Sequence, residues 1–373
     1  MTSTTSTLTD LTKVFTLMDQ GINYVGVDFG TFKTSAACSN GRREVLPTAV
    51  GWPKDHVART MLGRDVVFGK EIQEFRLALN VVRPFERGVL KYVDQSEAGL
   101  AGPETESHKD AAKLVLEHVV SQLRPTPNQP IYGVIGAPSQ ASIKNKQVLL
   151  DAAKDAFDAV VIVSEPFTMA YGMNQLNDTL VIDIGAGTID LCPMFGTYPS
   201  EDDQVTLPLG GDMIDEEFLR NLQNTFPEVQ ITLNMARELK EKYGFVHDLN
   251  EKAIVTLTAK GRPKQYDITQ PLKAACQTIV QPIVEGLYEV IAKLDPEYQR
   301  RMLNNILLGG GGSQLRGLDR LIEQGLQELG GGKVTKVYDS VYAGATGALK
   351  LAMNMPAEYW QTMRDRDQLR AAA

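Results

Sequence analysis

Two aspartates, Asp28 and Asp183, each follow a short apolar run and open a turn that contains glycine and ends in threonine. The turns are Asp28-Phe29-Gly30-Thr31 and Asp183-Ile184-Gly185-Ala186-Gly187-Thr188. Glycine lets backbone N–H groups approach phosphate oxygens because no Cβ stands between them, and a carboxylate beside them can hold hydrated Mg²⁺. One such turn alone is typical of ordinary hairpins, but two of them predict a site for a phosphate chain with its magnesium ion.

The two turns lie about one domain length apart, which predicts two duplicated halves that face one nucleotide. Each half would offer an aspartate and a ring of backbone amides to the same phosphates. A third element, Gly309-Gly310-Gly311-Gly312, follows an apolar run and precedes a predicted helix. These glycines would let a flat base or a phosphate lie against the backbone, and the alternative is a flexible loop without a ligand.

Glu165 lies where a predicted strand ends and a predicted helix begins. In a structural role, it would stabilise the helix dipole by about 0.3 to 1 kcal/mol. In a catalytic role, it would orient or deprotonate the water that attacks a γ-phosphate, because phosphoryl transfer depends on placement more than on covalent chemistry. Its spacing alone favours the structural role, and the combination of motifs described below favours the catalytic one.

Alternating strand and helix patterns predict an α/β protein with two lobes. We expect lobe I at 22–177 and 333–356 with an inserted subdomain at about 51–105, and lobe II at 178–332 with an inserted subdomain at about 208–268. One long helix is predicted from about 271 to 293 with a kink or break at Pro282, and another at 314–329. Residues 1–21 form an N-terminal extension with apolar residues at helical spacing, and 357–373 form a polar, solvated tail.

The composition limits the classes of function. The chain of 373 residues has a net charge of −8, so its overall charge does not indicate non-specific nucleic-acid binding, and local basic grooves remain an alternative. Its three cysteines are too few and too scattered for a disulfide framework or a thiolate zinc site, and its four histidines lack ligand spacing. No apolar run approaches the ~18 to 20 residues of a transmembrane helix. A cytoplasmic protein is therefore predicted.

In chain order, the two turns, Glu165-Pro166, Gly210-Gly211-Asp212 and the glycine loop resemble the actin-like ATPase superfamily. This superfamily includes actin, bacterial actins, sugar kinases and chaperone ATPase domains, and the resemblance covers roughly 23–353. Within it, Arg237–Tyr243 is similar to the actin segment whose Lys-Glu pair contacts the nucleoside. The segments most similar to the bacterial actins that align magnetosomes are Gly51–Asp55, Val163–Phe167, Val181–Thr188 and Pro296–Gln299.

The resemblance implies an actin-like fold of two duplicated ribonuclease-H-like lobes, with ATP or ADP and Mg²⁺ in the central cleft. It implies that Asp28 and Asp183 hold Mg²⁺ through water, and that Glu165 and Asp183 are catalytic, with Glu165 positioning the hydrolytic water. The residues implied to grip phosphates are Gly30, Thr31, Lys33, Gly185, Gly187 and Thr188. Those implied to contact ribose or adenine are Gly211, Lys240, Glu241, Gly309, Gly310, Gly311 and Gly312. A second interpretation of Lys33 has its side chain facing solvent.

The function expected from this resemblance is a cytoskeletal ATPase that assembles with itself into ATP-dependent filaments. The filaments would position magnetosomes or a similar cargo through adaptor proteins, without nucleic-acid binding or direct membrane insertion. The alternative on the same fold is a small-molecule kinase, which needs an acceptor base for which we find no separate candidate. A chaperone ATPase would carry a peptide-binding domain, and a membrane-tethered divisome actin would carry a basic amphipathic helix, and neither feature is apparent.

Overall fold

The computed structural model describes residues 21–90, 103–139, 141–247 and 252–371. The expected helical segment of the N-terminal extension lies outside these residues. The strands are β1 Asn23–Phe29, β2 Lys33–Cys38, β3 Arg43–Pro47, β4 Val50–Pro53, β5 Leu79–Val82, β6 Phe85–Glu86, β7 Val89–Leu90, β8 Ile131–Ala137, β9 Ala159–Ser164, β10 Asn177–Ile184, β11 Ile189–Phe195, β12 Val205–Leu207, β13 Val229–Gln230, β14 Ile254–Ala259, β15 Arg262–Asp267, β16 Ile306–Gly309 and β17 Val334–Lys336. The α-helices are α1 His56–Leu62, α2 Glu71–Glu74, α3 Pro103–Gln122, α4 Ile143–Ala153, α5 Glu165–Gly172, α6 Gly211–Thr225, α7 Leu233–Tyr243, α8 Thr269–Gln277, α9 Val280–Lys293, α10 Pro296–Leu303, α11 Leu318–Gly325, α12 Ala343–Asn354 and α13 Ala357–Ala371.

The described residues fall into two units. The first contains the residues up to Ala137, together with Ala141–Met173 and the residues from Gly344 onward. The second contains Pro138, Ser139 and Asn174–Ala343. The chain returns to the first unit at Gly344 and not at 333 as expected, because β17 pairs with β16 in the sheet of the second unit.

The sheet of the first unit has the strand order β3-β2-β1-β8-β9. β1, β2 and β3 are antiparallel neighbours, whereas β1, β8 and β9 run parallel. β1 and β8 are buried along almost their whole length, as expected of parallel strands whose faces are covered. Residues that follow β1, β8 and β9 therefore meet at one edge of the sheet, which is where open α/β sheets bind ligands.

The sheet of the second unit repeats this arrangement. Its order is β12-β11-β10-β16-β17, with β10, β11 and β12 antiparallel and β10, β16 and β17 parallel. β10 therefore takes the place of β1, and β16 takes the place of β8. The duplicated α/β fold predicted from the two Asp-Gly turns is confirmed.

Smaller elements lie within the ranges expected for the inserted subdomains. In the first unit, β4 pairs with β5, and α2 contributes to a small core of Ala49, Val67, Ile72 and Leu79. In the second unit, β13, β14 and β15 form a sheet in that order. Its buried side chains join the main core of the unit, and these include Val255, Leu257 and Tyr266.

Two predicted helices are divided in the structure. The segment predicted as one helix with a kink or break at Pro282 is α8 followed by α9. The break lies at residues 278 and 279, before the predicted position, and Pro282 lies in the first turn of α9. The N–H that proline lacks costs no hydrogen bond at this position, because the first amides of a helix have no intrahelical acceptor. The helix predicted at 314–329 begins only after Gly317, whose φ of 82° interrupts the helical backbone.

The polar tail predicted after 357 is instead the helix α13. Its Trp360 is fully buried, and the indole Nε1 donates a hydrogen bond to the Ala352 carbonyl at 3.2 Å. The indole also stacks on Tyr132 of β8, with ring centroids 5.2 Å apart. This contact anchors α13 to the sheet of the first unit. In the described part of the chain, no helix combines the length and the apolar character that crossing a bilayer requires.

We expect Trp360→Ala to lower the free energy of unfolding by about 3 to 5 kcal/mol, because it empties a fully buried indole site. Urea denaturation followed by circular dichroism measures this change. Tyr359→Ala is the matched control, since its side chain is 53% exposed, and its effect should stay within about 0.5 kcal/mol. Equal effects of the two changes would contradict the anchoring role of Trp360.

Candidate functional site

In the first unit, the strand register brings the predicted acidic residues to one sheet edge. Asp28 near the end of β1 lies opposite Gly136 of β8, and Ala137 lies opposite Ser164 at the end of β9. Glu165 follows Ser164 directly as the first residue of α5. Both carboxylates therefore lie at the carboxyl ends of the parallel strands, the usual place for ligand-binding groups in such a sheet.

The Asp28 carboxylate is closely surrounded by backbone. A Cβ added to Gly344 would lie 2.7 Å from Asp28 Oδ2, so only glycine leaves the carboxylate its present position. Burial raises the pKa of the Asp28 carboxyl to about 6. A buried carboxylate of this kind gains from a nearby cation, which supplies the charge compensation that water no longer gives.

The raised pKa of Asp28 predicts a pH-dependent stability. The folded chain holds this proton more tightly than the unfolded chain, so the stabilisation is present at low pH and is lost as the pH rises from 3.8 to about 6. At pH 7.5, without nucleotide or metal, Asp28→Asn should therefore raise the free energy of unfolding by on the order of 1–2 kcal/mol. Near pH 4 it should have little effect.

Urea denaturation at the two pH values tests this prediction. Asp65→Asn is the control, because Asp65 forms an exposed ion pair with Arg59, and such pairs contribute little. A gain in stability that is the same at both pH values would contradict a raised pKa of Asp28.

Buried hydroxyls hold the first glycine turn in place. The Thr48 hydroxyl donates to the Gly30 carbonyl at 2.8 Å and lies 2.8 Å from the Thr34 hydroxyl. A Cβ on Gly30 would lie 2.8 Å from the Lys33 carbonyl, which explains glycine at this position. Thr48 is fully buried and was not identified from the sequence, because it lies outside the motif.

The other predicted residues of this turn have defined places. The Thr31 hydroxyl accepts a hydrogen bond from the Gly88 amide at 3.1 Å. Lys33 is exposed, with its ammonium 5.8 Å from the centroid of the Phe32 ring. A phosphate contact by Lys33 stays a prediction beside its solvent-facing interpretation.

Glu165 is 9% exposed at the start of α5. The Thr168 hydroxyl donates to its carbonyl at 2.7 Å and fixes the first turn of the helix. A Cβ on Gly136 would lie 3.2 Å from Glu165 Cγ, so glycine there gives the side chain room. The Glu165 side chain therefore starts α5 and packs beside Gly136 of β8.

In the second unit, Asp183 of β10 lies opposite Gly309 of β16 and is 9% exposed. The following Gly310 has φ 73°, and a Cβ on it would lie 2.3 Å from Asp183 Oδ1. A Cβ on Gly312 would lie 2.1 Å from a methyl carbon of Ile184, whereas at Gly311 the space is open. Of the predicted glycine loop, Gly310 and Gly312 therefore pack on β10, and Gly311 leaves an accessible backbone surface.

The second glycine turn is closed by the Gly185 amide, which donates to the Thr188 carbonyl at 2.9 Å, with Gly187 buried between them. The Thr188 hydroxyl donates to Asp190 at 3.2 Å. Asp190 also accepts from the Ser139 amide at 3.0 Å and the Thr206 hydroxyl at 2.5 Å. Burial raises the pKa of Asp190, and these hydrogen bonds oppose the shift.

The amino end of α6 lies directly on this turn. The Gly211 amide donates to the Gly185 carbonyl at 3.0 Å, and the Asp212 amide donates to the Ala186 carbonyl at 2.9 Å. A Cβ on Gly210 would lie 2.7 Å from both of those carbonyl oxygens. The Gly-Gly-Asp motif is therefore fixed to the second glycine turn through its backbone.

The predicted nucleoside residues lie on α7. The Lys240 ammonium donates to the Gly211 carbonyl at 2.9 Å and pairs with Asp215 at 2.7 Å. The Arg237 guanidinium forms ion pairs with Asp215 at 2.7 Å and with Asp212 at 2.8 Å. Burial raises the pKa of Asp215, and Lys240 and Arg237 oppose the shift. Lys240 thereby holds the amino end of α6, whereas Glu241 is exposed.

We expect Arg237→Met to lower the free energy of unfolding by about 3–5 kcal/mol, because it leaves the fully buried Asp215 with one cation fewer. Thermal and urea denaturation measure the loss. Arg220→Met on α6 is the matched control, since Arg220 pairs with Glu217 on the surface, and surface pairs contribute about 0–1 kcal/mol. Comparable losses in the two variants would argue against a buried ion network.

In each unit, the strand-end carboxylate and its glycine turn are groups of the kind that bind Mg²⁺ and phosphate. Among the described residues, no group of three or more His, Cys, Asp or Glu side chains lies close enough together to chelate a metal. Mg²⁺ does not require such a group, because it commonly takes one or two carboxylates and completes its shell with water and phosphate oxygens. Asp28 and Asp183 each provide a strand-end carboxylate beside a glycine turn, and the tight approach of Gly344 and Gly310 fixes both.

Comparisons with known proteins agree with this geometry. The MreB/Mbl protein family model matches residues 23–356. The actin-like protein MamK of Paramagnetospirillum magneticum is 37% identical over 342 residues, which cover 92% of this chain and 95% of that protein. A MamK double helical filament structure has a TM-score of 0.84 at 37% identity, and covers 90% of this chain and 100% of that one. A non-polymerising MamK mutant bound to AMPPNP has a TM-score of 0.66 at 37% identity, covering 88% and 98%.

These matches confirm the resemblance to bacterial actins that the motifs indicated, and they extend it over nearly the whole described chain. The chain belongs to the MreB/Mbl family and has the actin-like fold.

Proposed function

We propose that this protein is a cytoplasmic ATPase that polymerises into ATP-dependent cytoskeletal filaments. Its cargo would be magnetosomes or another intracellular body, attached through adaptor proteins. The observation that carries the proposal is the matched pair of strand-end aspartates, each beside a glycine turn, on two sheets of the same topology. The relative bound to AMPPNP and the relative solved as a filament support nucleotide binding and self-association.

The proposed roles come from the resemblance to actin-like ATPases, and the placement of Asp28 and Asp183 at strand ends supports them. Asp28 and Asp183 hold Mg²⁺ through water, and the bound ion neutralises phosphate charge. The phosphate-binding group consists of Gly30, Thr31, Lys33, Gly185, Gly187 and Thr188. The group for ribose and adenine consists of Gly211, Lys240, Glu241, Gly309, Gly310, Gly311 and Gly312. Gly311 supports this assignment, because the space above it is open while its neighbours pack on β10.

Glu165 is proposed to orient the water that attacks the γ-phosphate and to accept its proton. Two observations favour this over a helix-stabilising role. The carboxylate lies at the same sheet edge as Asp28, and it is 9% exposed, whereas a residue that only interacts with a helix dipole can remain in solvent. A carboxylate placed in this way would make hydrolysis an in-line attack by a held water.

The proposal is tested by high-speed pelleting of the purified protein with ATP, ADP or no nucleotide, with phosphate release followed in parallel. We expect pelleting that depends on ATP and phosphate release that follows the amount of polymer. A protein that stays in the supernatant under all three conditions would overturn the filament proposal and favour the small-molecule kinase alternative. Phosphate acceptors would then be screened.

A further inference from the structure

The helix α12 packs against β1, which carries Asp28, and against α5, which begins with Glu165. It lies directly on β1, because a Cβ on Gly26 would be 2.1 Å from the Leu349 amide nitrogen and 2.2 Å from the Ala345 carbonyl. Gly344 in its first turn touches the Asp28 carboxylate, as described above. One end of α12 therefore fixes the position of the proposed magnesium-binding group.

The middle of α12 meets the helix that begins with Glu165. A Cβ on Gly347 would lie 1.8 Å from the Thr168 carbonyl oxygen and 2.6 Å from its carbon. The two helix backbones are in direct contact at this point, so no side chain can adjust the spacing. Thr168 is also the residue whose hydroxyl holds the Glu165 carbonyl, and a shift of this turn would move Glu165.

A third contact fixes the other end of α5. The Lys350 ammonium donates to the Tyr171 carbonyl at 3.0 Å and to the Gly172 carbonyl at 3.4 Å. These are among the last carbonyls of the helix, where a cation is favourable because they lack intrahelical donors. The Asn354 side chain adds a hydrogen bond to the Tyr171 hydroxyl at 3.0 Å.

We propose that α12 sets the position of Glu165 relative to Asp28, with Gly344, Gly347 and Lys350 as positioning residues for ATP hydrolysis. This inference rests on the proposed function. Gly344 acts through the Asp28 carboxylate and so affects the binding of Mg²⁺ with nucleotide. Gly347 and Lys350 act through α5 and so affect the attack on the γ-phosphate after nucleotide has bound.

The test separates binding from turnover. Gly347→Ala is expected to slow phosphate release by about tenfold or more, because a small displacement of a catalytic group lowers the rate strongly. Lys350→Met is expected to slow it by about threefold. Their affinity for a fluorescent ATP analogue with Mg²⁺ should stay within about threefold of the parent. Gly344→Ala should instead weaken that affinity by about tenfold, with a smaller effect in EDTA.

Two controls address general destabilisation. Gly325→Ala introduces a Cβ 2.5 Å from a Val284 methyl in the second unit, and Thr346→Ala changes an exposed position on α12 itself. Neither control should change the rate of phosphate release relative to the affinity for the ATP analogue. Lys350→Met adds no clash, so it keeps the test valid if Gly347→Ala does not fold.

Parental turnover and affinity in Lys350→Met and in a folded Gly347→Ala would overturn the inference and leave the proposed ATPase intact. A parent protein that neither binds nor hydrolyses ATP would overturn the proposed function itself. Equal losses of affinity and turnover in Gly347→Ala and Gly325→Ala would assign α12 a structural role only.

Discussion

Glu165→Gln is expected to slow phosphate release by about 10²- to 10⁴-fold, the usual contribution of a positioned general base. Glutamine keeps the shape of a side chain that is 9% exposed but cannot accept the proton of the attacking water. Nucleotide affinity and ATP-dependent pelleting should persist, because neither depends on that proton. Single-turnover phosphate release, measured beside pelleting, separates the chemical step from assembly.

Glu297→Gln provides a matched control for this change. Glu297 lies next to a proline in the first turn of α10, as Glu165 does in α5, but its side chain is exposed. Both changes remove a favourable helix-dipole interaction of about 0.3 to 1 kcal/mol. If both variants release phosphate at the parental rate, Glu165 only stabilises the helix.

Asp183→Asn is expected to abolish the Mg²⁺-dependent stabilisation of the protein by nucleotide. The amide keeps the fit against Gly310 but lacks the charge that retains a hydrated cation. A ligand at about 100 times its Kd stabilises a protein by about 2.7 kcal/mol, and most of this gain should be lost. Thermal denaturation with a non-hydrolysable ATP analogue, across a magnesium titration, measures the effect.

The control for this change is Asp202→Asn, at an exposed turn in the same unit. It should leave the magnesium titration unchanged. An Asp183→Asn variant with the parental dependence on Mg²⁺ would contradict the assignment of Asp183 as a metal-holding residue. If the Asp183→Asn protein is unfolded without ligand, Asp183→Glu takes its place in the test. This variant keeps the negative charge, so it should weaken the dependence on Mg²⁺ rather than abolish it.

Local sequence patterns were sufficient to predict much of the fold. Each strand-end aspartate follows a buried apolar run, and the turn glycines mark where the chain reverses, so β1, β2, β10 and β11 could be predicted from nearby residues. The duplication could be predicted as well, because both copies keep the same order of strand, aspartate and glycine. These features depend on interactions between residues close in sequence.

The support around the site could not be predicted, because it is made by residues far apart in the chain. Arg237 and Asp215 are 22 positions apart on different helices, and no local pattern pairs a particular arginine with a particular aspartate. Thr48 reaches the Gly30 turn from 18 positions away. A polar tail was predicted where Trp360 packs on Tyr132, since one indole among charged residues leaves no periodic signal.

The register of the two hairpins shows where the two duplicated halves differ beside the aspartate. Opposite the strand-end aspartate stands Ser35 in one hairpin and Asp190 in the other, and both are buried. The two duplicated halves thus share one backbone register and differ in the side chain that faces the aspartate. Asp190 accepts hydrogen bonds from three donors, whereas Ser35 is a neutral partner. Exchanging Ser35 and Asp190 between the halves should not be neutral, because the three donors to Asp190 would lose their shared acceptor.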